Sequence, residues 1–286
     1  MGIPHVVAID DPADPRLDDV RDLNRSDSRP DRPKGSGLVI AEGDLVCGRL
    51  LASRFPVRVI VGFEDKLEKF FAQGHVVPEA VPVYAVKRST LAAVAGFDMH
   101  RGLVAAADRA PEPSVAEVMA SARSLVVLES VGDHENIGAI FRNAAGLGID
   151  GVLFGNGCAD PLYRRAVRVS MGSVLATPFA HLGGTHTTWQ RRLSELAQQG
   201  FRLISLTPNP AAERLDRALV DAAGRPWEKV ALLVGAEGPG LTEHAMKATH
   251  VRARIPMSPA HPQTDSLNVA TAAAVAFYER ARSLGF

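Results

Sequence analysis

A single arginine interrupts the small, apolar segment NIGAIFRNAAGLG at residues 136 to 148. Arg142 carries a permanent planar cation whose fork of donors matches carboxylate or phosphate oxygens. Ile137, Ile140, Phe141 and Ala144 recur at the spacing of a buried helical stripe. Arg142 follows Ile137 by five residues, about 140° around a helix, so it projects away from that stripe. Taken alone it reads either as a structural arginine bonded to carbonyls or as a cation displayed to a cleft. Asn136 reads equally as a helix cap, through its amide oxygen, or as a site residue.

Two later segments carry comparable chemistry. In LLVGAEGPGLTEHA, Gly235, Gly238 and Gly240 permit close backbone approach and positive φ around Ala236 and Glu237, and the helix that follows offers unpaired N–H donors. Glu237 opposes a phosphate at this turn but suits a neutral or cationic partner. The turn lacks the Gly-Lys-Ser/Thr of a Walker loop and the order of a dinucleotide fingerprint. In RIPMSPAHPQTDSLNVATAAAVAFYER, Ile255 ends a strand, and Ser266, Leu267 and Asn268 lead into an alanine-rich helix. Ser266 is a candidate N-cap there. His261 has no second histidine or cysteine beside it and reads as a solvated loop residue.

Each segment must leave a strand for these side chains to converge. Near-continuous apolar runs at 125–130, 151–154, 201–206, 230–235 and 251–257 alternate with helical patterns at 137–147, 161–171, 187–199, 241–248 and about 267–283. That alternation implies a parallel sheet covered on both faces, with ligands beyond the carboxyl ends of the strands. A smaller α/β unit precedes it, with strands at 57–62, 81–86 and 102–107 and helices after Glu42, at 65–73 and at 88–95. The expected organisation is a flexible segment at 1–35, a small domain at 36–108, a linker at 109–121 marked by ADRAPEPS, and a large domain at 122–286.

Composition narrows the classes. Across 286 residues the hydrophobic share is 46% and the charged share 22%, values of a globular protein with a real core. Lys plus Arg equals Asp plus Glu at 32 each, so attraction to a polyanion must come from a local cluster. No signal-peptide pattern or bilayer-length apolar run is evident, and the expected compartment is the cytoplasm. Cys47 and Cys158 form no CxxC pair, the histidines fall at no metal-ligand spacing, and no GxSxG elbow occurs. Gly155-Asn156-Gly157 lacks the third glycine of a dinucleotide motif and reads as a loop. Disulfide, metal and acyl-transfer chemistry are therefore disfavoured.

Together the three segments resemble the motifs of the SpoU (TrmH) family of RNA ribose 2′-O-methyltransferases, in the SPOUT superfamily. The motifs are N-x-G-x-x-x-R at Asn136 to Arg142, G-x-E-G-x-G at Gly235 to Gly240, and I-P-M followed by S-L-N-V at Ile255 to Met257 and Ser266 to Val269. The resemblance covers about residues 122 to 284. It implies an α/β parallel-sheet domain ending in a C-terminal trefoil knot, S-adenosylmethionine as cofactor, an RNA substrate and a homodimer. It also implies catalytic or pocket roles for Asn136, Arg142, Glu237, Ser266 and Asn268, and cofactor contacts at Gly235, Ala236, Gly238, Ile255 and Leu267. Residues 36–108 look like the family's RNA substrate-binding domain, with His100-Arg101 where relatives often carry Pro-Gln. The spacer SPAHPQTD is three residues longer than the short glycine-containing one of the common motif.

On this resemblance the expected activity is RNA 2′-O-methylation, with ribosomal RNA favoured over transfer RNA. A non-catalytic RNA-binding protein and a nucleotide-dependent oxidoreductase are the rival classes. Arg164, Arg165 and Arg168, with Arg49, Arg54 and Arg58, are candidates for steering RNA. Arg280 and Arg282 are expected to reach a partner's site.

Overall fold

The computed structural model describes residues 5–24, 31, 37–258, 260 and 266–286. In chain order its strands are β1 (Val6–Ile9), β2 (Val39–Glu42), β3 (Val57–Gly62), β4 (Val83–Val86), β5 (Leu103–Ala107), β6 (Ser124–Glu129), β7 (Gly151–Phe154), β8 (Phe179–His181), β9 (Arg202–Leu206), β10 (Glu213–Arg214), β11 (Val230–Gly235) and β12 (Val251–Arg254). The helices are α1 (Asp44–Leu51), α2 (Glu64–Ala72), α3 (Arg88–Ala95), α4 (Val115–Ala120), α5 (His134–Gly146), α6 (Arg164–Val169), α7 (Leu193–Gln198), α8 (Leu215–Ala218), α9 (Glu243–Lys247) and α10 (Val269–Ser283). They form two compact units. One holds the described residues up to Pro111 together with Pro161–Ala176, and the other holds Glu112–Asp160 with Thr177–Phe286.

Among the described residues, the first unit is built on a five-stranded sheet in the order β1-β4-β3-β5-β2. β1, β4 and β3 are parallel, whereas β5 runs antiparallel to both β3 and β2. The strand LVAAA of β5 is buried throughout, because small residues let helices close on both faces. For the described residues 5–24, the expectation of a flexible segment over 1–35 is corrected by this sheet. Val6–Ile9 pairs with β4, and Leu17, Val20 and Leu23 are fully buried. VVAI is a good edge strand whose partner lies far along the chain, and the neighbouring acids disguise it.

A second correction concerns residues 161–176, which leave the large unit and join the small one. Arg164 donates to Glu42 at 2.6 Å, with side chains only 13% and 5% exposed, and its guanidinium lies 4.9 Å from the Phe97 ring centroid. A buried carboxylate needs such a counter-charge. Arg164 is therefore committed to an internal pair. Arg49 donates to the Met171 carbonyl at 2.8 Å, Arg54 to the Pro111 carbonyl, and Arg58 to Asp19 at 2.7 Å. These cations serve the architecture of the small unit first.

The described residues of the large unit form a seven-stranded sheet in the order β10-β12-β9-β11-β6-β7-β8, parallel at every pairing. One face buries Leu125, Val127, Leu153, Leu203 and Leu233 against Trp189, Leu193 and Leu196. α5 packs against α10, the latter burying Ala270, Ala273, Ala276 and Phe277. Strand β12 stops at Arg254 rather than continuing to residue 257, since Pro256 has no N–H to give a ladder. The expected helix at 187–199 is a 3-10 turn, Trp189–Arg192, running into α7.

Arg280 does not project from the last helix. It is 1% exposed, and its guanidinium donates to Ser124 Oγ at 3.0 Å, the Trp227 carbonyl at 2.6 Å and the Glu228 carbonyl at 2.9 Å. Burial lowers its pKa to about 10. Arg282 is engaged with Glu279 of its own helix at 2.7 Å. The expectation that Arg280 reaches a partner is replaced by an internal clamp on the start of β6 and the loop before β11. Arg280→Ala is expected to lower stability by about 2–4 kcal/mol, because it strands buried acceptors, and Arg280→Lys to recover part of the loss. Urea denaturation of the three proteins measures this, and an unchanged midpoint for the alanine variant would remove the clamp.

Candidate active site

The parallel sheet brings the three strand-end segments to one edge. Beyond β9, β11 and β12 lies a cavity of about 540 Å³ lined by Leu206–Pro208, Val234–Gly238, Gly240, Ile255, Met257, Ser266–Val269 and Ala272. Its size is that of an ordinary small-molecule site. Its floor is the glycine turn. The Gly240 N–H donates to the Ala236 carbonyl at 3.0 Å, which closes the turn on itself. A Cβ on Gly235 would lie 2.3 Å from the carbonyl carbon of Gly240 and from the Leu241 nitrogen, so only glycine allows the chain to double back here. Gly238 adopts φ +84°, in the left-handed region.

At the rim of this turn three polar side chains close a ring. Asn136 Nδ2 donates to Glu237 Oε1 at 3.1 Å, Asn268 Nδ2 donates to Asn136 Oδ1 at 2.9 Å, and Asn268 Nδ2 also donates to Glu237. The carboxylate can only accept, so both amide groups must turn their NH₂ toward it. The Asn268 oxygen then faces its own helix and accepts from Ala270 N at 3.0 Å and Thr271 N at 3.2 Å. Asn268 thus caps α10 and holds the rim at once. The expected cap Ser266 lies two residues earlier, exposed and lining the cavity. Asn136 is likewise not a cap. Asp133 takes that position by accepting from Glu135 N at 2.9 Å, which places Asn136 inside the first turn of α5 and releases its amide for Glu237.

The stripe of Ile137, Ile140, Phe141 and Ala144 is fully buried, as its spacing predicts. Arg142, on the same helix, is exposed and does not line the cavity. Among the described residues it forms neither a hydrogen bond nor a salt bridge, so its donor fork is available. The structure thus joins Asn136, Gly235, Ala236, Glu237, Gly238, Ile255, Ser266, Leu267 and Asn268, and leaves Arg142 on a nearby helix face. The wall formed by Leu206, Thr207 and Pro208 was not among the sequence-derived site residues. Its signal was the end of the apolar strand FRLISL at the carboxyl edge of a parallel sheet. His261 and most of the spacer 258–265 lie outside the described residues.

A glycine turn and a polar ring at the carboxyl edge of a parallel α/β sheet define a ligand-binding domain. The family model of the SpoU rRNA Methylase family matches residues 123–278. An uncharacterised tRNA/rRNA methyltransferase of Mycobacterium tuberculosis is 54% identical over 273 residues, 96% of this chain and 91% of that protein. The 23S rRNA (guanosine(2553)-2′-O)-methyltransferase RlmP of Bacillus subtilis is 24% identical over 265 residues, covering 91% and 94% of the two chains. The crystal structure of an AdoMet-bound rRNA methyltransferase from Sinorhizobium meliloti shares the fold, with a TM-score of 0.75 at 23% identity over 98% of each chain. The chain belongs to the SpoU family and is an RNA methyltransferase of the SPOUT fold.

Proposed function

We propose that this chain transfers a methyl group from S-adenosylmethionine to a ribose 2′-hydroxyl in structured RNA, with ribosomal RNA as the substrate class. The observation that carries the reading is the cavity over the Gly235–Gly240 turn with the Asn136–Glu237–Asn268 ring at its rim. The AdoMet bound by the solved Sinorhizobium relative and the 2′-O specificity of RlmP support it. The cavity fits a nucleoside-sized group. Gly235, Ala236 and Gly238 would hold it through backbone groups, and Ile255 and Leu267 would wall its apolar parts. When bound, S-adenosylmethionine supplies an electrophilic methyl on a sulfonium.

The chain's own residues then position the nucleophile. A ribose hydroxyl is a poor nucleophile and must approach in line, so orientation contributes much of the rate. Arg142 grips the phosphate beside the target ribose and orients the 2′-oxygen, since a guanidinium rarely gives up its proton. The ring of Asn136, Glu237 and Asn268, with Ser266 beside it, shapes the pocket that receives the ribose. Glu237 is occupied by two amides and acts as the brace of this ring.

The same reading includes a C-terminal trefoil knot, a cytoplasmic site of action, an RNA-holding role for residues 36–108 and a homodimer. The exposed position of Arg142 supports assembly of the site from two copies. So does the apolar surface at the C-terminal end of α5, where Tyr278, 57% exposed, and Phe286, 91% exposed, flank Gly146 and Leu147. Incubating the purified chain with methyl-labelled S-adenosylmethionine and RNA from cells lacking the protein tests the reading. Label is expected in ribosomal RNA at one nucleotide whose 3′ linkage resists alkali. Label in transfer RNA would overturn the substrate class, and alkali-sensitive label the ribose.

A further inference from the structure

Glu129 ends β6, seven residues before Asn136, and is 2% exposed; it stands at the head of the first strand-end segment and has no part in the ring. Its carboxylate accepts from Trp189 Nε1 at 3.0 Å, from the Thr242 backbone N–H at 2.7 Å and from the Thr242 hydroxyl at 2.9 Å. Among the described residues it has no salt-bridge partner. A carboxylate held in the interior by three donors and no cation is costly to place, and donors this specific define where their chains must run.

The location of those chains gives the arrangement its meaning. Glu129 is in register with Gly235 across the β6–β11 ladder, where the glycine turn begins. Thr242, which receives the carboxylate, is the residue at which the chain re-enters a helix after the turn. Its hydroxyl donates to Glu129 and accepts from Ala245 N at 3.2 Å, so the cap of α9 and the anchor are one group. Glu129 therefore fixes both ends of the segment that lines the cavity, one through the ladder and one through its side chain. Trp189, fully buried, donates to the same Oε1 that accepts the Thr242 hydroxyl.

We infer that Glu129 is a positioning residue for the cofactor turn: it sets the spacing between Gly235 and Thr242, and through it the affinity of the cavity for the adenosyl group. The inference rests on the S-adenosylmethionine reading of that cavity. Glu129→Gln keeps the volume but offers one acceptor where two are used, and its NH₂ must face a donor. The result would be a loosened turn in a folded protein.

The test measures S-adenosylhomocysteine affinity by calorimetry, affinity for a ribosomal RNA transcript by filter binding, and hydrogen exchange of the ligand-free chain. For Glu129→Gln we expect about tenfold weaker S-adenosylhomocysteine binding, RNA binding within twofold of wild type, and exchange at Gly240 and Thr242 at least about tenfold faster. Thr242→Val, which removes only the hydroxyl link, should reproduce a milder form, and Thr242→Ser should restore wild-type affinity. A folded Glu129→Gln with unchanged affinity or unchanged exchange overturns the role of Glu129, as does equal behaviour of the Ser and Val variants. A wild-type chain that fails to bind S-adenosylhomocysteine overturns the cofactor reading as well, and that outcome is separate from the variants.

Discussion

Arg142→Ala is expected to lower methyl transfer by on the order of 10²–10³-fold, and Arg142→Lys by nearly as much. The two variants are expected to match because the work assigned to Arg142 is geometric. A planar fork can hold two phosphate oxygens at once, whereas an ammonium on a flexible stem is a point charge that leaves the ribose free to turn. Folding should be spared, since α5 is held by Ile137, Ile140, Phe141 and Ala144, and Arg142 is exposed. S-adenosylhomocysteine affinity should also be spared, because Arg142 does not line the cavity. Single-turnover kinetics on RNA with calorimetry on the same preparations separate these effects. Near-normal turnover by the lysine variant would remove the orienting role.

Gly235→Ala is expected to weaken S-adenosylhomocysteine binding by about a hundredfold or more, equivalent to about 2.7 kcal/mol. The added methyl meets backbone at 2.3 Å, and no side-chain rotation relieves that. The turn has little slack, because it is closed by the Gly240–Ala236 hydrogen bond and followed by Leu241, which is 6% exposed. Gly238→Ala makes a useful contrast. It has φ +84° but nothing within 4 Å, so it carries only the strain of a left-handed alanine, about 1–2 kcal/mol of stability. Calorimetry and urea denaturation on both variants distinguish lost space from lost stability. Wild-type affinity in Gly235→Ala would show that the turn does not shape the site.

Much of this arrangement was legible because periodic signals repeat. The strand at 57–62 and the helix at 88–95 stand where the patterns placed them, and the three site segments meet at strand ends as a parallel sheet requires. Features that depend on one residue or on distant pairing were not legible. Ser266 and Asn268 are both competent caps, and only the tertiary demand of Glu237 on the Asn268 amide selects between them. Asp133 displaced Asn136 as cap for the same reason. β1 is four residues long and its partner begins at Val83, so no local pattern announces the pair. Glu129 looks like an ordinary acid at a strand end until Trp189 and Thr242 arrive from far along the chain.

The return of residues 161–176 to the first unit has a temporal side. During synthesis the segments through Pro111 emerge before Arg164 exists, so Glu42 must wait for its counter-charge while roughly fifty more residues are added. At about 5–20 residues per second that is a delay of several seconds. In that interval β2 and the loop leading into α1 carry an unpaired acid that favours solvent over burial. The small unit can mature only once part of the large one has been made, which couples two folding events that the linear order of the domains would suggest are separate.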